Sequence, residues 1–135
     1  MSIVERIQKD YQRFPYDQSY ELYADSVYFK DPLNEFHGIQ RYQQMLGTIE
    51  RWLQDINLDL HGIEQTDADR IETHWTLSWV APLPWRPQMA ISGWSELKLN
   101  REGKICSHID YWHCSRWEVL KQLIPAAPKS HKQIR

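Results

Sequence analysis

The chain has 135 residues, 41% hydrophobic and 25% charged, with a formal net charge of -2. A chain of this length folds as one domain that removes roughly two thirds of its unfolded surface from water, so its core needs neither metal nor disulfides. The near-neutral balance offers no basic field to DNA, RNA or an anionic membrane, and no window has the length or apolarity of a membrane span.

Seven Trp and seven Tyr stand against three Phe. Amphipathic rings suit a cavity wall or an aromatic subunit contact better than an oily core, because each keeps one polar atom that wants a partner. The first residues, "MSIVERIQKD", mix charges with apolar positions and do not read as a signal peptide, so the expected location is cytoplasmic.

Ile3, Val4, Ile7 and Tyr11 repeat at helical spacing behind Ser2, with Glu5 completing a capping box. A second short helix is expected from Pro15 through Tyr20 and Leu22 to about Tyr23, since Pro suits a first helical turn. "ADSVYFKDPLNEFHG" leaves that periodicity, and Pro32 forces Asp31 into extended or irregular backbone after a strand of two or three residues. From Ile39 to Leu53 the apolar positions follow the three-four spacing of the main amphipathic helix.

The period then changes to two. Strands are expected over Ile56–His61, Ile71–Trp79, Met89–Leu99 and Ile105–His113, with "QTDADR" and "NREG" as hairpin connections. "APLPWRP" is a stiff rim loop whose Trp85 reads as a lid or an anchor. Gly93 inside its strand suggests a bulge that curls the sheet. Ser115 and Glu118 form a second capping box before a last short helix, which Pro125 and Pro128 stop. A single domain over 1–124 and a polar, flexible tail over 125–135 follow.

The chemistry-bearing residues concentrate near the carboxyl end. Alternation puts Cys106, His108, Asp110 and Trp112 on one face, with His108 and Asp110 about 6 to 7 Å apart. A carboxylate beside an imidazole can orient it as a general base. The same two residues also read as an outward pair opposite Glu96 or Lys98, or as a polar pocket wall, because alternation does not say which face is concave. Asp31 is either an Asx-turn acceptor or a base at a cavity mouth. Tyr16, Tyr20, Tyr23 and Tyr28 are candidate hydroxyl donors into a pocket, and Trp75, Leu77, Trp79, Met89 and Ile91 its wall. His74 goes with a solvated face, and Asp10, Asp17 and Asp25 with helix ends. Cys106 and Cys114, roughly 26 Å apart along an extended strand, do not form a bridge. No metal site and no cofactor are expected.

"ELYADSVYFKDPLNEFHGIQRY", the tryptophan-rich meander and "LKLNREGKICSHIDYW" together resemble the nuclear transport factor 2-like superfamily, also called SnoaL-like, over about residues 3 to 124. "APLPW", "ISGWSEL" and "HIDYWHCS" resemble, more narrowly, a domain of unknown function from cyanobacteria and from plant and algal plastids. The resemblance implies an α+β fold: a cone-shaped, strongly curved antiparallel sheet wrapped around N-terminal helices, with a short C-terminal helix.

Function transfers less directly. In ketosteroid isomerase, a member of the superfamily, the aspartate of the "DP" motif is the base, and Asp31 matches it. Its protonated aspartate falls at Ser95 and its tyrosine near Ile7, so steroid isomerisation is not implied, although Tyr11 or Tyr20 can enter from another turn. Scytalone dehydratase offers only a loose analogy to His108, Asp110 and the tyrosines. The leading expectation is a cavity that binds a small, mainly apolar ligand. The alternatives are cofactor-independent isomerase, dehydratase or cyclase chemistry on Asp31, His108 and Asp110, or a scaffold that homodimerises through a sheet face carrying Trp94, Glu96, His108 and Trp112.

Overall fold

The computed structural model describes residues 1–125, so the expected tail, except for Pro125, lies outside the described residues. Helices α1 (Ile3–Arg13), α2 (Ile39–Trp52) and α3 (Arg116–Lys121) accompany strands β1 (Tyr23–Lys30), β2 (Glu35–His37), β3 (Gln54–Asp67), β4 (Arg70–Val80), β5 (Gln88–Leu99) and β6 (Ile105–Trp112). The strands form one curved sheet in the order β2-β1-β6-β5-β4-β3. Every ladder is antiparallel except that of β1 on β6, which is parallel. This is the α+β cone that the alternating strands and the preceding helices imply.

Both capping boxes form as the sequence indicates, Ser2 with Glu5 and Ser115 with Glu118. The segment between α1 and β1 differs from expectation. Instead of a helix from Pro15 to Tyr23 there is only a 3-10 turn, Tyr20–Leu22, and Tyr23 already begins an eight-residue strand. The cause is Asp10, which is not a surface residue but is buried. Its carboxylate accepts the Ser19 backbone N–H and hydroxyl, while the Gln18 amide donates to the Asp10 and Tyr16 carbonyls. Asp17 adopts the left-handed conformation, φ 49°. These local bonds take the donors a helix would have used.

Gly93 carries no bulge, because its pairings with Trp75 and Trp112 are in continuous register. Its lack of a side chain serves a close approach instead. A Cβ there would lie 2.3 Å from the Tyr111 carbonyl oxygen and 3.0 Å from the Trp75 ring. The register shifts that bend the sheet fall at three places along β3, between Lys98 and Leu99, and between Tyr23 and Tyr28 on β1. The β3–β4 ladder also runs farther than expected, to Asp67 opposite Arg70, which leaves Ala68 and Asp69 as the turn.

On the concave side Ile7 of α1 packs on Leu22, Val27, Ile71, Leu97 and Ile105. Full burial of each such side chain stabilises the fold by roughly 1.5–3 kcal/mol. Tyr42 and Leu46 of α2 cover Phe29 and Phe36. Helix α3 closes one end, with Val119 against Trp75, Met89 and Ile91. It is held there by the Gln122 side-chain amide, which accepts from the Ala90 N–H at 2.7 Å and donates to the Ala90 carbonyl at 2.9 Å, as a neighbouring strand would. Trp85 is an anchor of the same end, since its indole N–H donates to the Leu123 carbonyl.

The faces are now assigned. His108 pairs with Leu97 and Asp110 with Ser95, on the concave side, so neither faces Glu96 or Lys98. Trp94 and Glu96 lie opposite Tyr111 and Ile109 on the convex side. The expected interface set of Trp94, Glu96, His108 and Trp112 is therefore split between the two faces, because its members have opposite parity along their strands.

Candidate functional site

The cone encloses a cavity of about 580 Å³. Phe29, Trp75, Leu77, Trp79, Ile91 and Trp112 supply apolar wall. Exposed Leu33, Asn34, Arg41 and Gln44 also line it, which places the mouth between the turn after β1 and the first turns of α2. Arg41 lies over the Phe36 ring, 5.4 Å from its centroid.

The polar end is built from consecutive inward positions of β4, β5 and β6. Trp75 pairs with Gly93, and over that bare backbone its indole N–H reaches the Ser95 hydroxyl at 2.8 Å. An indole N–H only donates, so Ser95 accepts it and spends its own proton on Asp110 Oδ1, 2.6 Å away. His108 Nε2 lies 2.8 Å from the same oxygen. With that N–H directed at the carboxylate, Nδ1 is left to accept from the Tyr23 hydroxyl at 3.3 Å, and Tyr23 in turn meets the Tyr42 hydroxyl at 3.4 Å. Only the sense Tyr42 to Tyr23 to His108 to Asp110 uses every hydroxyl proton. Ser95 is 1% exposed and His108 7%.

Desolvation sets the acidity of the rings around this chain. It pushes the Tyr11, Tyr23 and Tyr42 hydroxyls well above the ordinary phenol range, with the nearby Asp110 charge adding to the effect. All three are therefore neutral donors at physiological pH. Tyr11 reaches the cavity from α1, its hydroxyl 2.8 Å from the buried Thr73 Oγ1.

Asp31 follows directly after Lys30, which pairs with Ile109, so the parallel register sets Asp31 beside Asp110 at the cavity mouth. Its Oδ1 accepts from the backbone N–H groups of Leu33 and Asn34 and from the Asn34 amide. Among the described residues its Oδ2 has only the Asn34 amide, at 3.2 Å. Desolvation raises its pKa above the ordinary carboxylate range and the Asp110 charge adds to the rise, against the opposing pull of the Leu33 and Asn34 donors. Asp31 is thus at once an Asx-turn acceptor and a cavity-mouth carboxylate.

Not every candidate converges here. Trp75, Trp79 and Ile91 line the cavity, but Met89 packs in the core beneath α3. Tyr16 is exposed, Tyr20 packs edge-on against Tyr42, and Tyr28 turns outward to pack at a tilt on His37 and bond Glu35. Tyr28 falls outside because Val27 and Phe29 take the inward positions of β1, and Tyr16 and Tyr20 lie in the turn and 3-10 segment that precede the strand. Sequence reasoning had weighed Ser95 only as a missing aspartate and passed over Thr73 and Tyr42. The available signal was a polar residue at an inward position of an otherwise apolar alternation, as in Ile71-Thr73-Trp75 and Gly93-Ser95-Leu97. Among the described residues no group of three His, Cys, Asp or Glu side chains is placed to hold a metal ion. Cys106 and Cys114 are free thiols. No helix among the described residues is long and apolar enough to cross a membrane.

The fold is shared with several solved structures. One is a hypothetical protein from Catenulispora acidiphila with a ketosteroid isomerase-like fold, in complex with trimethylamine. It is 15% identical, with 92% of this chain and 98% of that chain covered and a TM-score of 0.71. A nuclear transport factor 2-like protein of unknown function from Burkholderia pseudomallei is 12% identical over 90% and 96%, TM-score 0.71. An epoxide hydrolase of the LEH-like kind from M. tuberculosis is 17% identical over 89% and 87%, TM-score 0.64. At these identities the likeness is one of fold. No curated protein matches the chain. The pattern of the family described as uncharacterized conserved protein (DUF2358) matches residues 1–108, and the chain belongs to that family.

Proposed function

We propose that the cone binds one small, mainly apolar molecule whose polar end meets Asp110. The observation that carries this reading is the pairing of a large aromatic cavity with a hydrogen-bonded wall in which one carboxylate oxygen, Asp110 Oδ2, has no partner among the described residues. Pockets of a few hundred Å³, mostly apolar with a few placed polar groups, are the usual form of small-molecule sites. Native mass spectrometry of freshly purified protein, followed by titration with an apolar fluorescent probe, tests it. The expected result is a co-purified mass or saturable binding at one probe per chain; an interior that takes neither overturns the reading.

A second reading is acid-base chemistry of the isomerase, dehydratase or cyclase kind. It is favoured by the adjacency of Asp31 to Asp110 and by the raised pKa of Asp31, which suits a carboxylate that must hold and release a proton. Deuterium exchange alpha to the carbonyl of a bicyclic ketone reports it. Exchange that persists in Asp31→Asn would count against Asp31 as the base.

The convex face supports a third reading, a homodimer. His74, Trp94 and Tyr111 stack in a row across β4, β5 and β6, with Tyr111 41% exposed. Light scattering of the native chain and of Trp94→Glu tests this. A dimer that the charge dissociates is the expected outcome, and a native monomer removes the reading.

A further inference from the structure

The charges around the cavity are unevenly spent. Asp10 is committed to Ser19 and Arg13, and Asp31 to its own turn. Arg41 is exposed at the rim, over Phe36. The buried chain that ends at Asp110 delivers its hydrogen bonds, from Ser95 and His108, to Oδ1 alone. Among the described residues Oδ2 is left as a bare acceptor on a side chain that is 19% exposed. Among the described residues no lysine lines the cavity.

A carboxylate in that position disfavours ligands whose polar end is a carbonyl, carboxylate or phosphate, since acceptor would face acceptor in a poorly solvated space. It favours a donor, and a charged donor most, because neutralising the carboxylate recovers part of the cost of desolvating it. The surrounding wall adds to this. The indole of Trp112, which lines the cavity on the same face of β6, offers a π system, which attracts cations.

Resting on the ligand-binding reading above, we infer that the molecule the cone takes is an organic amine, its ammonium group set on Asp110 Oδ2 and its hydrocarbon part against the aromatic wall. The geometry specifies an amine with at least one N–H, because Oδ2 asks for a hydrogen bond as well as a charge. Ligands of the same shape that end in a hydroxyl keep the apolar contacts and lose the ion pair.

The test uses a matched pair of probes, 1-aminoadamantane and 1-adamantanol, titrated into the full-length protein at neutral pH by calorimetry. The amine is expected to bind at least about tenfold more tightly than the alcohol, the scale of one ion pair in a partly buried site. Asp110→Asn keeps an oxygen for Ser95 and His108 but turns the cavity-facing atom into an N–H donor. It is expected to cost the amine about tenfold or more while leaving the alcohol within about threefold. Equal binding of the two probes by the native protein, or amine affinity indifferent to Asp110→Asn, overturns the inference and leaves the cavity reading intact. Binding of neither probe counts against both. The native comparison decides the matter even if the variant does not fold.

Discussion

Replacing Ser95 with alanine deletes one oxygen and orphans two partners. The Trp75 indole N–H, in a residue 6% exposed, loses its acceptor, and Asp110 Oδ1 loses one of its two donors. A buried neutral donor left unpaired costs about 1–3 kcal/mol and a hydrogen bond to a charged group about 1.5–3 kcal/mol. Because Asp110 faces the cavity, water recovers part of the second loss, so about 2–4 kcal/mol is expected overall. With an unfolding entropy of about 2.1 cal/mol/K per residue, a chain of this length loses about 3–4 °C of Tm per kcal/mol. Tm should therefore fall by about 7–14 °C in a calorimetric melt. A cycle with Trp75→Phe separates the terms. Once the indole N–H is gone, the Ser95→Ala penalty should shrink by about 1 kcal/mol or more. A melting point within about 2 °C of the native protein, or strict additivity in the cycle, would refute the network as drawn.

Two further outcomes follow from the same wall. Gly93→Ala sets a Cβ against the Tyr111 carbonyl, which is backbone and cannot step aside, so a loss of about 1–3 kcal/mol or more is expected in chemical denaturation. The half-buried Gly62, with nothing within 4 Å of an added Cβ, is the control. For Asp31 the raised pKa means that the native state holds its proton to higher pH than the unfolded chain does. The native protein is therefore penalised at neutral pH and relieved as pH falls through the carboxylate range. Any stability advantage of Asp31→Asn at pH 7 should diminish toward pH 4. An advantage that grows on acidification would show the opposite sign of shift.

Much of the architecture was legible because its signals are local. The period change after Leu53 marks where helix gives way to strand, and the two capping boxes mark helix starts to the residue. The parity of β6 also paired His108 with Asp110 on one face. What that parity left open was the direction of curvature, which goes with register shifts on β1, on β3 and at Lys98 that no local pattern announces. The missing second helix has a similar origin. Its sequence suits a helix, but the competing bonds come from Asp10, whose burial is a tertiary fact. Ser95 illustrates the same limit, since its role depends on a tryptophan one strand away crossing a glycine.

The side-chain amide of Gln122 stands in for a strand at Ala90, where β6 has already ended, and so the last described turn serves as the stopper of a vessel otherwise made by the sheet. A chain cut after Ser115 would lose Val119 and that amide together, turning a cup into a passage open at both ends. Closure of the cavity at this end and the integrity of α3 are thereby mechanically the same property.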